Sequence, residues 1–348
     1  MKILVTIPAG KVRDTFLPCD VQDALAMLGE VVYNDLGRQY TSEELARALD
    51  GVEIAVTGWG TPAITGPVLH NCDVLRLIAH TGGSVADLVD FTTYEKGIRV
   101  ISGNKLYAES VAEGTIAYMT AMMRRIPDYV YTVRKGGWNL SEEEWSEGLF
   151  ERTVGILGVG AIAKNLMQML RPFRCSFLVW DDNYTVDPAY LASVNARQTT
   201  LEEVLTSCSI VSLHAALTPS SRGLIGKREF EMMPKGALFI NTSRGAIVRQ
   251  DEMIEALRAR PDLRAVLDVF EKEPIDVDCP LRSMPNVYLM PHKAGPTIDR
   301  RAAVGRALVS DLHRLLAGEC LENEINASAA SRMTSHKLVN SIMEEKKK

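Results

Sequence analysis

The 348-residue chain is longer than one typical domain, so two domains are expected. Hydrophobic residues make up 46% of it and charged residues 24%, as in ordinary globular proteins, and the net charge of −5 gives no support to nucleic-acid binding, which usually needs a basic face. No stretch approaches the roughly 20 apolar residues of a membrane span, and the apolar N-terminal run is too short for a signal peptide, so no membrane partner is expected. The six cysteines show no C-x-x-C spacing, which disfavours a disulfide framework or a metal site and fits a cytoplasmic protein.

The first hundred residues alternate short apolar runs with helical patterns. Strands are predicted over residues 3–7, 31–33, 54–57, 75–79 and 100–101. Helices are predicted over residues 21–28 and 43–49, the latter capped by Ser42, and another opens at residues 67–69. This alternation is typical of β/α units around a parallel sheet.

The pattern changes after residue 104. One long helix is predicted over residues 108–125, and a loop rich in glycine and tryptophan follows over residues 135–149. A long helix with an extended arm indicates a contact surface for a second copy of the chain, and therefore a homodimer.

A glycine-rich turn follows an apolar, strand-type run and opens the next helical pattern. It reads G-x-G-x-x-A from Gly158 to Ala163. Gly158 allows a tight turn, and Gly160 lets a pyrophosphate approach the backbone. The helix that begins with Ala161 and Ile162 offers free N–H groups and the positive end of its dipole to phosphates. The pattern predicts a dinucleotide site.

An acidic residue at the expected distance strengthens that reading. The run over residues 175–180 predicts the next strand, and Asp181 ends it, roughly 20 residues beyond the turn, where an acid meets the adenosine ribose. Asp182 follows, and two acids would repel a 2′-phosphate, so NAD is favoured over NADP. The alternative is a structural glycine turn in an ordinary βαβ unit.

The rest of the chain continues the alternation. Helices are predicted over residues 201–206, 227–232 and 251–258, with strands over residues 210–213, 236–241, 264–267 and 287–290. A long helix from residue 297 to about residue 316 returns the chain to the first domain. The tail after Asn326 is short and polar and ends in three lysines, and its last residues are expected to be frayed.

Three residues with chemical potential follow strand ends: Arg244, Glu273 and His292. Each has an ordinary structural reading, as a paired arginine, a surface glutamate before proline, or a structural histidine. Their shared position downstream of the glycine turn, at the edge where open α/β sheets bind ligands, makes them a set.

Five segments, in order, resemble the D-isomer-specific 2-hydroxyacid dehydrogenases. They are GILGVGAIAKNL (155–166), SLHAALTPSSRGLI (212–225), MPKGALFINTSRGAIV (233–248), LDVFEKEP (267–274) and LMPHKAGPT (289–297). The first domain matches more loosely, through residues 75–90 and 108–119.

The resemblance implies an α/β fold of two doubly wound parallel-sheet domains, with a Rossmann NAD-binding domain inserted in a flavodoxin-like substrate domain. The substrate domain would comprise residues 1–103 and 297–330. The NAD-binding domain, with the dimerisation helix and arm, would comprise residues 104–296. Residues 331–348 would form a C-terminal tail.

The resemblance also implies roles at matching positions. Arg244 would bind the carboxylate and carbonyl of a small 2-keto or 2-hydroxy acid, because its planar fork suits a carboxylate. His292 would be the general acid/base and Glu273 its partner, since a neighbouring carboxylate favours the imidazolium. Hydride would pass between the nicotinamide and the substrate 2-carbon.

Further contacts fall on two groups of positions. Five would contact the cofactor, Asp268 at the carboxamide and His214 at the pyrophosphate and adenosine side: Thr242, Ser243, Asp268, His214 and Thr218. Three would hold the substrate carboxylate from the other domain through their backbone: Gly82, Gly83 and Ser84. The loop around them departs from the usual G-x-G-x-D pattern of the family, and Trp59 can enter the pocket. The identity of the substrate is therefore left open.

Other functions on the same fold remain alternatives. Glu273 speaks against formate oxidation, because the formate enzymes carry a glutamine there, but it leaves phosphite and phosphoglycerate oxidation open. A different class is a non-catalytic NAD-sensing scaffold, against which the intact set of arginine, glutamate and histidine argues.

Overall fold

Two parallel β-sheets organise the chain in a computed structural model, which describes residues 1–140, 146–182 and 185–335. The chain divides into two compact units, one formed by Met1–Tyr107 with Pro296–Lys348 and the other by Ala108–Gly295. Every strand pair in both sheets is parallel. This confirms the predicted α/β class with two parallel sheets.

The first unit contains a five-stranded sheet. Its elements are β1 (Lys2–Val5), α1 (Lys11–Phe16), α2 (Cys19–Leu28), β2 (Glu30–Tyr33), α3 (Ser42–Ala48), β3 (Ile54–Thr57), β4 (Leu77–His80), α4 (Phe91–Glu95), β5 (Arg99–Ser102) and the boundary helix α5 (Asn104–Met123). The sheet order is β2-β1-β3-β4-β5, so the order reverses between β1 and β3. Strands β3 and β4 are buried throughout, as expected for a sheet covered on both faces.

The second unit contains a seven-stranded sheet. Its elements are α6 (Ile126–Arg134), β6 (Thr153–Leu157), α7 (Ala161–Met169), β7 (Ser176–Trp180), α8 (Pro188–Ser193), β8 (Ala196–Gln198), α9 (Leu201–Ser207), β9 (Ile210–Leu213), α10 (Lys227–Glu231), β10 (Leu238–Asn241), α11 (Gln250–Ala259), β11 (Arg264–Leu267) and β12 (Val287–Leu289). The order β12-β11-β10-β9-β6-β7-β8 reverses between β6 and β9. Ligands of such sheets bind outside the carboxyl ends of the strands at the point of reversal.

The C-terminal segment rejoins the first unit through α12 (Ile298–Ala317) and α13 (Ala327–Ser331). Asn326 caps α13 by accepting a hydrogen bond from the Ala329 N–H, and the Ser335 hydroxyl donates one to Asp87. The chain is therefore structured through residue 335. The last residues, which were expected to be frayed, fall within residues 336–348, outside the described part of the chain.

Several short elements were not predicted, because a helix of one or two turns leaves no sustained periodicity. These are α1, α4, α6, α8, α13 and the three-residue strand β8. The helix expected from residue 67 is a 3-10 turn over Val68–Asn71. The cap of α3 is Thr41, not Ser42, because the Thr41 hydroxyl accepts from the Glu44 N–H and Glu44 accepts in return from the Thr41 N–H.

The arm predicted over residues 135–149 is described only in part, since residues 141–145 lie outside the described ranges. Within those ranges, no helix combines the length and the apolar character that crossing a membrane requires.

Candidate active site

The glycine turn lies at the reversal point of the second sheet. Gly158 has φ +91°, and a Cβ there would lie 2.4 Å from the Ala215 Cα, so both conformation and space require glycine. Gly160 is the N-cap of α7, and none of the described neighbouring residues has a heavy atom within 4 Å of an ideal Cβ at this position. The first turn of α7 begins with Ala161 and Ile162, and its N-cap residue makes no side-chain capping hydrogen bond within the described part of the chain. The space and the helix N-terminus fit a pyrophosphate.

Asp181 reaches back to the same turn. Its Oδ2 accepts a hydrogen bond from the Val159 N–H over 2.7 Å. The carboxylate therefore lies beside the glycine turn, as expected of an acid that meets the ribose of a dinucleotide. Asp182 is exposed next to it. The residues present fit a dinucleotide without a 2′-phosphate.

His214 follows β9 and faces inward. Its Nε2 lies 2.8 Å from the Ser212 Oγ, and burial lowers its pKa to about 4, so the ring is neutral at pH 7. Its buried Nδ1 has no hydrogen-bond partner among the described residues. Thr218 lies in a local turn, where its hydroxyl bonds with Ser220 over 3.0 Å and Ser221 over 3.2 Å.

The loop after β10 presents Arg244. Thr242 and Ser243 are buried beneath it, and the Ser243 hydroxyl donates to the Ala215 carbonyl over 2.5 Å, which ties this loop to the one after β9. A Cβ at Gly245 would lie 1.9 Å from the Phe270 carbonyl carbon, so the loop packs directly on the segment that follows β11. Arg244 is partly buried and donates to the Ser243 carbonyl over 2.6 Å.

Glu273 and His292 form a hydrogen-bonded pair. The His292 Nδ1 lies 2.8 Å from the Glu273 Oε2, and the other carboxylate oxygen accepts from the Phe270 N–H over 3.0 Å. Burial acts to raise the pKa of Glu273, but the bonds from His292 and Phe270 and the charge of Arg244 outweigh it and lower that pKa. His292 has φ +55°, uncommon for a non-glycine residue, and its side chain is 49% exposed. The pairing leaves Nε2 to meet a ligand.

The buried carboxylate of Asp268 fixes the loop that carries His292. Its Oδ1 accepts from the Lys293 N–H over 2.7 Å, and its Oδ2 accepts from the Ala294 N–H over 2.9 Å. The Tyr118 hydroxyl donates a third bond to Oδ1 over 3.0 Å. Burial, then the charge of Asp268, raises the pKa of Tyr118, so this hydroxyl keeps its proton at pH 7. Sequence reasoning missed Tyr118, since nothing local marks a contact 150 residues away.

The predicted substrate loop lies in the first unit, after β4. A Cβ at Gly82 would lie 2.4 Å from the His80 Nε2, and one at Gly83 would lie 3.5 Å from the Tyr107 ring. The His80 Nδ1 bonds with the Thr57 hydroxyl over 2.9 Å. The Ser84 hydroxyl donates to the Thr334 carbonyl over 2.8 Å, so this side chain is engaged within its own unit.

The residue profile of the NAD binding domain of D-isomer specific 2-hydroxyacid dehydrogenases matches residues 116–294, just over half of the chain. The chain belongs to the D-isomer specific 2-hydroxyacid dehydrogenase family. Its second unit is accordingly an NAD-binding domain, and the glycine turn, Arg244, Glu273 and His292 all lie within the matched residues.

Two relatives of this dehydrogenase family are informative. The chain is 29% identical to the D-3-phosphoglycerate dehydrogenase of Methanocaldococcus jannaschii over 94% of its own length and 59% of that protein. It is 32% identical to the glyoxylate/hydroxypyruvate reductase B of Pectobacterium atrosepticum over 67% of its length and 73% of that protein. It spans between 50% and 59% of three D-3-phosphoglycerate dehydrogenases.

The solved structures agree on the fold. The PH0520 protein of Pyrococcus horikoshii aligns over 95% of this chain and 96% of its own, with a TM-score of 0.76 and 26% identity. Because the alignment spans nearly the full length of both chains, the likeness in fold covers the first unit as well as the NAD-binding domain.

Proposed function

We propose that the chain is an NADH-dependent reductase of a small 2-keto acid. In the balanced reaction, a 2-keto acid, NADH and a proton give the D-2-hydroxy acid and NAD. The observation that supports this most directly is the 2.8 Å hydrogen bond between His292 Nδ1 and Glu273 Oε2. The bond joins the proposed proton donor to its proposed acidic partner, and the charge of Arg244, the proposed carboxylate-binding residue, contributes to lowering the pKa of Glu273.

Arg244 binds the substrate in this proposal. Its guanidinium can donate two parallel hydrogen bonds to the carboxylate and can polarise the neighbouring carbonyl. The close packing of Gly245 on Phe270 limits how far the Arg244 backbone can shift. A fixed backbone lowers the entropic cost of orienting the substrate.

His292 moves the proton. Glu273 accepts the Nδ1–H bond, so the Nε2–H of the imidazolium donates its proton to the carbonyl oxygen, and neutral Nε2 accepts the hydroxyl proton in the reverse reaction. Bound NADH supplies the hydride to the substrate 2-carbon. Asp268 holds the backbone of Lys293 and Ala294, which keeps the histidine in its left-handed conformation.

The cofactor would lie along the reversal point of the second sheet. Gly158, Gly160 and the first turn of α7 would hold the pyrophosphate, and Asp181 would bind the ribose. Asp182 adds a second negative charge there, which supports a preference for NADH over NADPH. Five further residues would complete the cofactor contacts. Four of them precede β11 and would line the sides of the cofactor site: His214, Thr218, Thr242 and Ser243. The fifth, Asp268, follows β11.

The division of labour between the units is part of the proposal. The NAD-binding domain would comprise residues 104–296. The substrate domain would comprise residues 1–103 and 297–330, with Gly82, Gly83 and Ser84 contacting the substrate carboxylate, and residues 331–348 would form the tail.

The enzyme is proposed to be a cytoplasmic homodimer. Helix α6 has no buried residue, and four of its apolar or aromatic side chains are between 44% and 66% exposed: Ile126, Val130, Tyr131 and Val133. An exposed apolar face of this kind usually meets a partner, which supports the homodimer. Sedimentation at micromolar concentration measures whether the protein is a dimer. A Val130→Asp variant that stays dimeric would contradict the proposal that α6 forms the dimer interface.

The cysteines bear on the compartment, and all six are unpaired, which supports a reducing one.

The test of the activity is NADH oxidation at 340 nm against glyoxylate, pyruvate, hydroxypyruvate, phenylpyruvate and branched 2-keto acids, with NADPH in parallel. Turnover that prefers NADH supports the proposal. NADH binding without turnover of any 2-keto acid would contradict it and would favour phosphite oxidation or an NAD-sensing role.

A further inference from the structure

The first unit contains an arginine stacked on aromatic rings at the reversal point of its own sheet. The Arg301 guanidinium carbon lies 5.2 Å from the centroid of the Trp59 ring and 5.5 Å from that of Phe16. Phe16 belongs to α1, which follows β1, and Trp59 follows β3. The cluster thus lies at the carboxyl ends of the two strands between which the sheet order reverses, where open α/β sheets bind ligands.

Arg301 has unused hydrogen-bonding capacity. Its Nε is buried and has no partner in the described part of the chain, and its Nη1 makes only a long 3.5 Å contact with the Thr15 hydroxyl. Two other arginines of α12 are paired, Arg306 with Asp20 and Arg314 with Glu319 and Glu322. Arg301 forms no ion pair within the described ranges. A buried guanidinium donor without an acceptor costs free energy that a bound anion would recover.

Tyr107 provides a second unpartnered group beside the same indole. Its ring is 6.3 Å from the Trp59 ring, centroid to centroid, and its buried hydroxyl has no hydrogen-bond partner of normal geometry among the described residues, although the Trp59 indole approaches it. Burial raises the pKa of Tyr107, against the opposing charge of Arg301, so the hydroxyl keeps its proton and can donate at pH 7. Two donors therefore border one aromatic wall.

The cluster adjoins the loop assigned to the substrate carboxylate. The Tyr107 ring packs over Gly83, where a Cβ would lie 3.5 Å from it. Trp59 remains 43% exposed, so the wall is open to a ligand. A substrate whose first carboxylate meets the loop at residues 82–84 could direct its far end along Tyr107 toward Arg301.

We propose that Arg301 and Tyr107 bind a second anionic group, a carboxylate or a phosphate, at the end of the substrate remote from the 2-keto acid. This rests on the proposed function and narrows the substrate class to dianionic 2-keto acids. The first turn of α12, which contains Arg301, adds the positive end of a helix dipole to the same location.

The test compares 2-keto acids in matched pairs. Oxaloacetate is compared with 2-ketobutyrate, 2-oxoglutarate with 2-oxopentanoate, and 3-phosphohydroxypyruvate with hydroxypyruvate, each as kcat/KM with NADH. The wild type is expected to prefer at least one charged member by roughly tenfold or more, and the pair concerned distinguishes a phosphate from a carboxylate. In R301M, kcat/KM should fall by roughly 10- to 100-fold more for that charged member than for its neutral partner.

Two further variants sharpen the result. R301K keeps the charge but loses the fork and should fall between wild type and R301M. R306M removes the same charge from the exposed face of α12 and should leave the preference intact. Equal turnover of both members of every pair in the wild type, or an equal loss for both in R301M, would overturn the inference while leaving the reductase proposal standing.

A measurement without turnover separates the two proposals. Phosphate and succinate are added to the protein and the melting temperature is recorded. An increase in the wild type that is lost in R301M supports the anion site even if no 2-keto acid is reduced, and an equal increase in both, or none, counts against it.

Discussion

The Tyr118 hydroxyl donates to the Asp268 carboxylate over 3.0 Å and so joins α5 to the end of β11 across 150 residues of sequence. The same carboxylate accepts from the backbone of Lys293 and Ala294. One buried group thus connects a helix, a strand and the loop that carries His292. The position of the proposed proton donor depends on this polar contact as well as on the sheet.

Removing the Tyr118 hydroxyl should therefore weaken the second unit. In Tyr118→Phe, Asp268 loses one of three donors while the ring keeps its packing, so the free energy of unfolding should fall by about 1–2 kcal/mol in urea titrations. Turnover should fall as well, because the loop at residues 292–294 is held less firmly. Tyr190→Phe is the control, since its hydroxyl makes a longer 3.3 Å bond with the Lys164 carbonyl at an exposed site. Equal stabilities of the two variants would argue against the contact.

Replacing the two glycines of the glycine turn, Gly158 and Gly160, should have different effects. Gly158→Ala places a Cβ 2.4 Å from the Ala215 backbone at a φ of +91°, and should destabilise the fold by roughly 1–3 kcal/mol. In Gly160→Ala the new Cβ meets no atom of the described residues within 4 Å, so the variant should keep the wild-type melting temperature while NADH affinity falls by about tenfold or more. Fluorescence titration with NADH and thermal melts measure both. Unchanged NADH binding in G160A would place the pyrophosphate elsewhere.

Replacing His292 should remove the proton donor and spare the cofactor site. His292→Gln should lower kcat on the order of 10²–10⁴-fold, while NADH still binds, because general acid help of that size is lost. His313→Gln is a matched control on the exposed surface of α12. Normal turnover in H292Q would sink the role assigned to His292.

Glu273 should influence both turnover and acid stability. Its lowered pKa means that the folded state favours the carboxylate, so its contribution is present above the ordinary glutamate pKa of about 4.3 and is lost as pH falls through the lower folded value. Glu273→Gln should reduce the loss of folding stability at low pH and should lower kcat by roughly 10- to 100-fold. Glu271→Gln, which changes a 48% exposed neighbour, is the control. A kcat for E273Q equal to that of E271Q would contradict the pairing.

The sequence predicted the parts of this fold that depend on local patterns. The strands around Gly158 and the acid at Asp181 follow from residues near one another in the chain, and the two-sheet α/β class follows from their alternation. The hydroxyl of Tyr118, the unpartnered Nε of Arg301 and the exposed face of α6 could not be predicted. Each depends on whether a distant element packs against it and which one does. The periodicity of a single sequence does not record such contacts. The catalytic and cofactor roles stay predictions.

Two buried histidines should make the protein sensitive to mild acid. Burial lowers the pKa of His80 and of His214 to about 4, against about 6.5 in an unfolded chain. Between those values the unfolded chain binds more protons, so the free energy of unfolding falls as pH drops from about 6.5 to about 4. Each histidine contributes up to about 1.4 kcal/mol per pH unit to that slope.

Urea titrations between pH 7 and pH 4.5 measure the slope caused by these two histidines. His80→Gln and His214→Gln should each flatten it, whatever their stability at pH 7, because the buried proton acceptor is gone. The exposed His313→Gln should keep the wild-type slope. The two sites report on different units, His80 on the first and His214 on the second, so their effects should add in the double variant. A wild-type slope in both single variants would show that the rings are protonated in the folded state.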